Sequence, residues 1–216
     1  MKEAAIFDID KTLVKGNAGQ KYVMHLFRRG MIGPINAIRI NYSIFKYLIN
    51  SSNYDDAMKK AYSVTKGWDA EKIRKIIERY YHKKIHKLIY PEMRRIIEEH
   101  RKKGRIIIFI TNSWDAMAQN TADELKADIL IATKVEIRDG KYTGKVIQPC
   151  FGEYKKEYLL KTAAEKDIDL KKSYAYSDHV SDIPMLKAVG HATAVNPDKN
   201  LLKVAKIRGW EILNLN

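Results

Sequence analysis

The sequence predicts an α/β fold in which a mainly parallel sheet carries helices on both faces and an all-helical segment is inserted near the start. Three observations predict it. A short apolar run, Ala4 to Phe7, leads straight into two aspartates; strand alternation is missing between Val14 and about Leu88; and from Pro91 onward helical and strand patterns alternate. The 216 residues suffice for one core domain carrying a smaller inserted one, and an apolar content of 45% is that of a globular protein.

The first strand ends in Ile6-Phe-Asp-Ile-Asp-Lys-Thr12. Side chains alternate with period two, so Asp8 and Asp10 share one side of the strand end. Two carboxylates aimed at one spot repel each other and resist burial unless a metal ion, a lysine or a shared proton compensates. Such a partner is therefore expected elsewhere in the chain.

The helical stretch that follows is punctuated by Gly30 and Gly33-Pro34. Ile35, Ile38, Tyr42, Phe45 and Ile49 recur at helical spacing, as do Ile73, Ile76, Ile77, Tyr80 and Leu88. Ile40, Ile44, Tyr47 and Leu48 widen the apolar surface of the first of these helices, while Arg39 and Lys46 interrupt it. It is too short to span a bilayer. A buried cap helix is the expectation, with a lipid-facing or partner-facing surface as the alternative.

From Pro91 a helix runs to about Lys103 and stops at Gly104; Arg105 to Ile110 is an apolar strand of the kind buried on both faces. Ala127 to Ala132 is a weaker strand, and Val135 to Val146 forms a hairpin turning at Asp139-Gly140. A helix over Tyr154–Lys166, a strand over Ser173–Ser177, a helix around Pro184–Ala188, a strand over His191–Val195, and a closing helix and strand near Leu213 complete the pattern.

Charge and cysteine content narrow the function. A net charge of +14 suits anionic partners, yet the basic residues are mixed with glutamate along helices and no nucleic-acid-binding motif accompanies them. One cysteine, Cys150, excludes an internal disulfide and a cysteine metal cluster, and no basic partner nearby activates it. The acidic, short apolar start is not a signal peptide, which makes a cytoplasmic location the expectation.

Ligands of parallel sheets bind beyond the carboxyl ends of the strands. Three further stretches stand there: Thr111-Asn112-Ser113, followed by a helix whose N terminus can hold an anion; Gly152-Glu153-Tyr154-Lys155, a lysine opening a helix; and Ser177-Asp178-His179-Val180-Ser181-Asp182. His179 is read as an exposed turn residue. In order along the chain, these four sites resemble the motifs of the haloacid dehalogenase superfamily. Asp8-Ile-Asp10-Lys-Thr12 matches the first, Thr111 the second, Lys155 the third, and Asp178 with Asp182 the fourth. The insertion after the first motif, the Phe-Gly-Glu-Tyr-Lys stretch and Ser-Asp-His-Val-Ser-Asp-Ile-Pro-Met-Leu resemble the phosphoserine phosphatase-like branch.

The resemblance implies a Rossmann-like core over residues 1–15 and 89–216 and a helical cap over 16–88. It implies a Mg2+-dependent phosphomonoester phosphatase working through an aspartyl phosphate on a small phosphorylated metabolite. Asp8 would be the nucleophile and Asp10 the general acid and base; Thr12, Thr111, Asn112 and Lys155 would hold phosphate. Asp8, the Asp10 carbonyl and Asp178 would bind Mg2+, supported by Asp182. Phosphoserine phosphatase or phosphotransferase activity is the near alternative. A basic membrane-binding or partner-binding protein with a degenerate phosphatase site is the alternative of another class. The cap is expected to close as a lid on hinges at Val14–Asn17 and Leu88–Pro91. Where phosphoserine phosphatases carry a glutamate that reads an ammonium group, this chain has Asn17, with Lys15 and Lys21 nearby, which predicts substrates without a free amino group, such as phosphorylated lipids or sugars.

Overall fold

Alternate residues of the first strand enter two different apolar clusters, and that division sets the layering. The structure, a computed structural model, describes residues 1–36, 38 and 54–215. All four residues of strand β1 (Ala4–Phe7) are buried. Ala5 and Phe7 pack on one side with Ile107 and Phe109 of β2 (Ile106–Trp114); Ala4 and Ile6 pack on the other with Ile108 and Ile110. A strand with no solvent face reads as a continuous apolar run, as these two do.

Seven strands form one sheet in the order β4-β3-β2-β1-β5-β6-β7, with β3 at Ile129–Arg138, β4 at Lys141–Gln148, β5 at Tyr174–Ser177, β6 at His191–Val195 and β7 at Glu211–Leu213. Neighbours are parallel except β3 and β4. Because β1 lies between β2 and β5, the chain leaves it toward both sides, and the crevice at its carboxyl end is the topological switch point.

Helices cover both faces. α1 (Ala18–Arg28), α2 (Tyr54–Tyr62), α3 (Ala70–Tyr80), α4 (Pro91–Lys102) and α5 (Asp115–Glu124) precede α6 (Glu153–Lys166), α7 (Ile183–Leu186) and α8 (Lys199–Arg208). Tyr22, Leu26, Ile73, Ile77, Met93, Ile97 and Met117 join the Phe7 side. Leu159, Met185, Leu186, Leu201 and Ala205 cover the Ile6 side. Burying one such aliphatic side chain contributes about 1.5–3 kcal/mol.

The two linkers of the helical insertion pair with each other: Lys15 N donates to the Leu88 carbonyl (2.7 Å) and Tyr90 N to the Leu13 carbonyl (2.9 Å). The insertion is also stitched to the β3–β4 hairpin, through Gly67 N to Tyr142 O (2.8 Å), Tyr142 N to Trp68 O (2.9 Å) and Ala70 N to Gly140 O (2.9 Å). The hairpin turns where expected, with Asp139 and Gly140 both at positive φ.

Two expectations change. The separate strand over Ala127–Ala132 and the first arm of the hairpin are one ten-residue strand, β3. Its first half pairs with β2 and its second with β4, and no turn residue separates them. The strand expected to end at Ile110 continues through a bulge to Trp114, because Thr111 and Trp114 both keep partners on β3. Of the apolar helix expected from Ile35 to Ile49, Ile35 and Ile38 are exposed; Arg39, Ile40, Tyr42, Ile44, Phe45, Lys46, Tyr47, Leu48 and Ile49 lie outside the described residues. Among the described residues no helix is long and apolar enough to cross a membrane.

Candidate active site

Asp8 is the first residue past β1, and its N–H donates to the Tyr176 carbonyl of β5 (3.0 Å), which fixes the backbone at the switch point. Its carboxylate meets the lysine that the paired aspartates require. Lys155 Nζ donates to Asp8 Oδ1 (2.6 Å) and to Asp182 Oδ2 (2.7 Å), and Ser177 Oγ donates to the same Asp182 oxygen (2.6 Å). Lys155 is 2% exposed and reaches this point from the first turn of α6. The preceding Gly152 makes that turn with φ 55° and ψ −123°, a conformation that suits glycine alone.

Electrostatics here are those of crowded acids. Burial pushes the Asp8 carboxyl well up against the pull of the Lys155 ammonium, and the charges of Asp182 and Asp178 add to the push. Burial works against the Lys155 charge, but Asp182 and then Asp8 outweigh it and its pKa rises. Asp178, also buried, is pushed up to about 7 by burial, with the Lys11 charge opposing and Asp182 adding. Lys155 thus remains an ammonium. Lys155 pairs with Asp8 and Asp182, and the Lys11 charge acts on Asp178.

Asp10 has different company. Its Oδ1 accepts from Ala18 N at the start of α1 (2.5 Å), and its Oδ2 from Ser113 Oγ at the end of β2 (2.5 Å). Burial raises its pKa; the Ser113, Ala18 and Gly19 hydrogen bonds pull the other way, and the Lys155 charge ranks last among the causes. Both carboxyls are raised by burial, but their neighbours differ, a lysine ammonium at Asp8 and a hydroxyl with a backbone N–H at Asp10, which suits the two to different tasks.

The remaining expected residues fall around this pair. Thr111 is buried, and its Oγ1 accepts from Ser113 N (3.1 Å). Asn112 is half-buried, and its carbonyl accepts from Thr133 Oγ1 (2.8 Å). Thr12 is fully buried, and its hydroxyl has no partner among the described residues. The helix N terminus expected to hold an anion after Ser113 begins only at Asp115, whose own carboxylate accepts from Ala116 N (2.8 Å). Asn17 caps α1 through its side chain, which accepts from Gln20 N (2.8 Å). His179 caps the turn at Val180–Asp182 and is partly exposed; Cys150 is buried, its thiol pushed up to about 12 by burial.

Three participants carry no signal that sequence reading could assign. Ala18 acts through its backbone N–H, Ser177 through a hydroxyl inside a strand, and Lys11 through its charge on Asp178. Lys11 does stand out locally as a non-glycine residue at φ 59°.

The donor set fits a hard divalent cation. Its ligands are all oxygens, and the crowded carboxylates Asp8, Asp178 and Asp182 carry negative charge that a cation offsets. Asp8 and Asp178, with the Asp10 backbone carbonyl, are the residues that would hold it. Among the described residues no group of three or more His, Cys, Asp or Glu side chains is placed to hold a metal ion.

Known proteins resemble the chain over its whole length. The profile of the haloacid dehalogenase-like hydrolases matches residues 5–187. A protein of Mycobacterium tuberculosis named as a probable phosphatase is 33% identical over 218 residues, covering 100% of this chain and 76% of the relative. A phosphoserine phosphatase of the same species is 29% identical over 214 residues, covering 97% of this chain and 70% of the relative. A solved structure of a Bordetella pertussis protein of unknown function superposes with a TM-score of 0.91 at 26% identity, covering 100% of each chain.

Proposed function

The chain belongs to the haloacid dehalogenase-like hydrolase family, and on that premise we propose that it is a Mg2+-dependent phosphomonoester phosphatase acting through an aspartyl phosphate. The observation that carries this reading is the contrast between Asp8, held by Lys155, and Asp10, held by Ser113 and the α1 N terminus. The phosphatase names of its relatives support the reaction class.

In this mechanism Asp8 Oδ2 attacks phosphorus while Lys155 holds Oδ1. The P–O bond to the alcohol breaks, and Asp10 delivers its proton to the departing oxygen. Asp10, now a carboxylate, takes a proton from water, which attacks the phosphoaspartate and releases phosphate and free Asp8. Lys155, Thr111, Thr12 and Asn112 hold the phosphoryl oxygens, where charge must be neutralised. Mg2+, held by Asp8, Asp178 and the Asp10 carbonyl, would supply charge neutralisation during the transfer. Asp182 keeps Lys155 in place.

We assign residues 1–15 and 89–216 to the catalytic core and 16–88 to the cap. The paired linkers support the boundary, and the ladder to the β3–β4 hairpin implies that a closing cap carries the hairpin with it. The substrate is a small phosphorylated metabolite without a free ammonium group. Asn17, which spends its side-chain oxygen on capping α1, supplies no charge for one, and the sequence from Lys11 to Tyr54 contains no acidic residue at all.

A panel of phosphomonoesters with Mg2+ and with EDTA tests this. Turnover of an aryl phosphate that EDTA abolishes and Mg2+ restores is the expected result, with phosphoserine ranked below amino-free esters. Full activity in metal-free protein refutes the cation, and phosphoserine ranked first by kcat/KM refutes the substrate reading.

A further inference from the structure

Tyr22 Oη and Trp114 Nε1 are buried without a hydrogen-bond partner among the described residues. Tyr22 feels the Asp10 charge, and Trp114 follows Ser113, which holds Asp10. Tyr22 lies one helical turn beyond Ala18, whose N–H holds Asp10, and helical side chains lean back toward the N terminus, which carries the phenol toward that same turn. Trp114 directly follows Ser113, the other residue that holds Asp10, just beyond the bulge that re-aims the end of β2. Its ring stands edge-on to Tyr142 (4.7 Å) and Tyr62 (6.1 Å). The Asp10 charge reaches the phenols of both Tyr22 and Tyr62, although burial is the larger cause of their raised pKa.

Buried polar atoms in folded proteins are nearly always paired, so two buried donors without a partner among the described residues call for an explanation. Thr12, the third such group, belongs to the phosphate side of the site. We propose that Tyr22 and Trp114 select the leaving group: with phosphorus at Asp8, they hydrogen-bond a further oxygen of the alcohol whose ester oxygen Asp10 protonates. The inference rests on the phosphatase reading above and deepens it. An indole N–H only donates, so it meets an acceptor, and an ammonium cannot take that place. The surrounding rings of Tyr22, Tyr62, Trp114 and Tyr142 are uncharged at neutral pH, and the carboxyl of Asp115, next to Trp114, acts on Tyr62 and Tyr142. The substrate class is therefore an ester of an oxygen-rich alcohol, such as a polyol, rather than of a simple alkanol.

Glycerol 3-phosphate and propyl phosphate share a three-carbon skeleton and differ in the two extra hydroxyls, so their kcat/KM ratio reads the inference directly. The wild type is expected to favour glycerol 3-phosphate at least about tenfold, since a site built to bond a substrate oxygen rejects the analogue lacking it. Tyr22→Phe should bring the ratio toward one while leaving Tm unchanged or higher, because the hydroxyl it deletes has no partner in the free protein. Trp114→Phe should lower the ratio too, with its own Tm reporting any loss of packing. A wild-type ratio near one, or an unchanged ratio in Tyr22→Phe, overturns the inference. So does a lowered Tm in Tyr22→Phe, which would make the hydroxyl structural. Failure of the wild type to hydrolyse either ester, or phenyl phosphate, with Mg2+ would instead remove the phosphatase reading and this inference with it.

Discussion

Asp8 and Asp10 stand two residues apart, yet the two halves of the site they head are built differently. Around Asp8 an ion-pair network dominates: Lys155 bridges Asp8 and Asp182, Ser177 supports Asp182, and these partners come from the sheet or from the helices packed on it. Around Asp10 the groups are neutral. One partner, Ser113, comes from the sheet, another, the Ala18 N–H, comes from the insertion, and two buried donors have no partner among the described residues. The half that would handle the phosphoryl group is thus fixed by the core alone. The half that would handle the leaving group depends on where α1 sits.

Substitutions can break that division, and Asp8→Asn should act most strongly. Turnover should fall by about 10^4-fold or more for every ester, as expected when a nucleophile is lost, while circular dichroism stays that of the folded protein. Appreciable turnover in this variant would take the nucleophile's role from Asp8. Asp10→Asn should be more discriminating. A loss of about 10^2- to 10^4-fold is expected for alkyl phosphates and a much smaller one for nitrophenyl phosphate, whose leaving group needs no proton; equal losses would argue against acid catalysis by Asp10.

Lys155→Met sharpens the comparison through stability. Removing the ammonium that bridges Asp8 and Asp182 should cost about 3–5 kcal/mol at neutral pH, because it strands buried carboxylates. Ser113→Ala, on the neutral half, should cost no more than about 1–3 kcal/mol. Denaturant titration of both variants measures the contrast, and equal costs would erase the distinction between the halves.

The smallest effect concerns pH. Burial raises Asp178 to about 7 in the folded protein, above its value in the unfolded chain, so the folded state binds the extra proton. Through Asp178, metal-free protein therefore loses stability as pH rises from about 4 to about 7. A cation at Asp178 displaces that proton. The rise in Tm on adding Mg2+ should be larger at pH 8 than at pH 5, and a shift independent of pH would place the cation away from Asp178.

The charged half was the more legible in the sequence, and the reason is physical. Asp8, Lys155, Asp178 and Asp182 each stand where a strand pattern gives way to a turn or helix, so alternation and spacing locate them without knowledge of contacts. On the neutral half, a backbone N–H such as that of Ala18 carries no residue identity, and Tyr22 and Trp114 read as ordinary core aromatics. Their unpaired polar atoms appear only when tertiary packing is known. The hairpin turn at Asp139-Gly140 was readable from its turn chemistry. The union of two expected strands into β3 was not, since it depends on which neighbours pair with each half.

Trapping the covalent intermediate tests the central claim most directly. Protein quenched in acid during turnover with Mg2+ is reduced with borohydride, which converts an aspartyl phosphate to homoserine, and peptides are mapped by mass spectrometry. Homoserine at position 8, dependent on substrate and absent in Asp8→Asn, is the predicted result. Steady turnover with position 8 still aspartate, or with the reduced residue elsewhere in the chain, would contradict it.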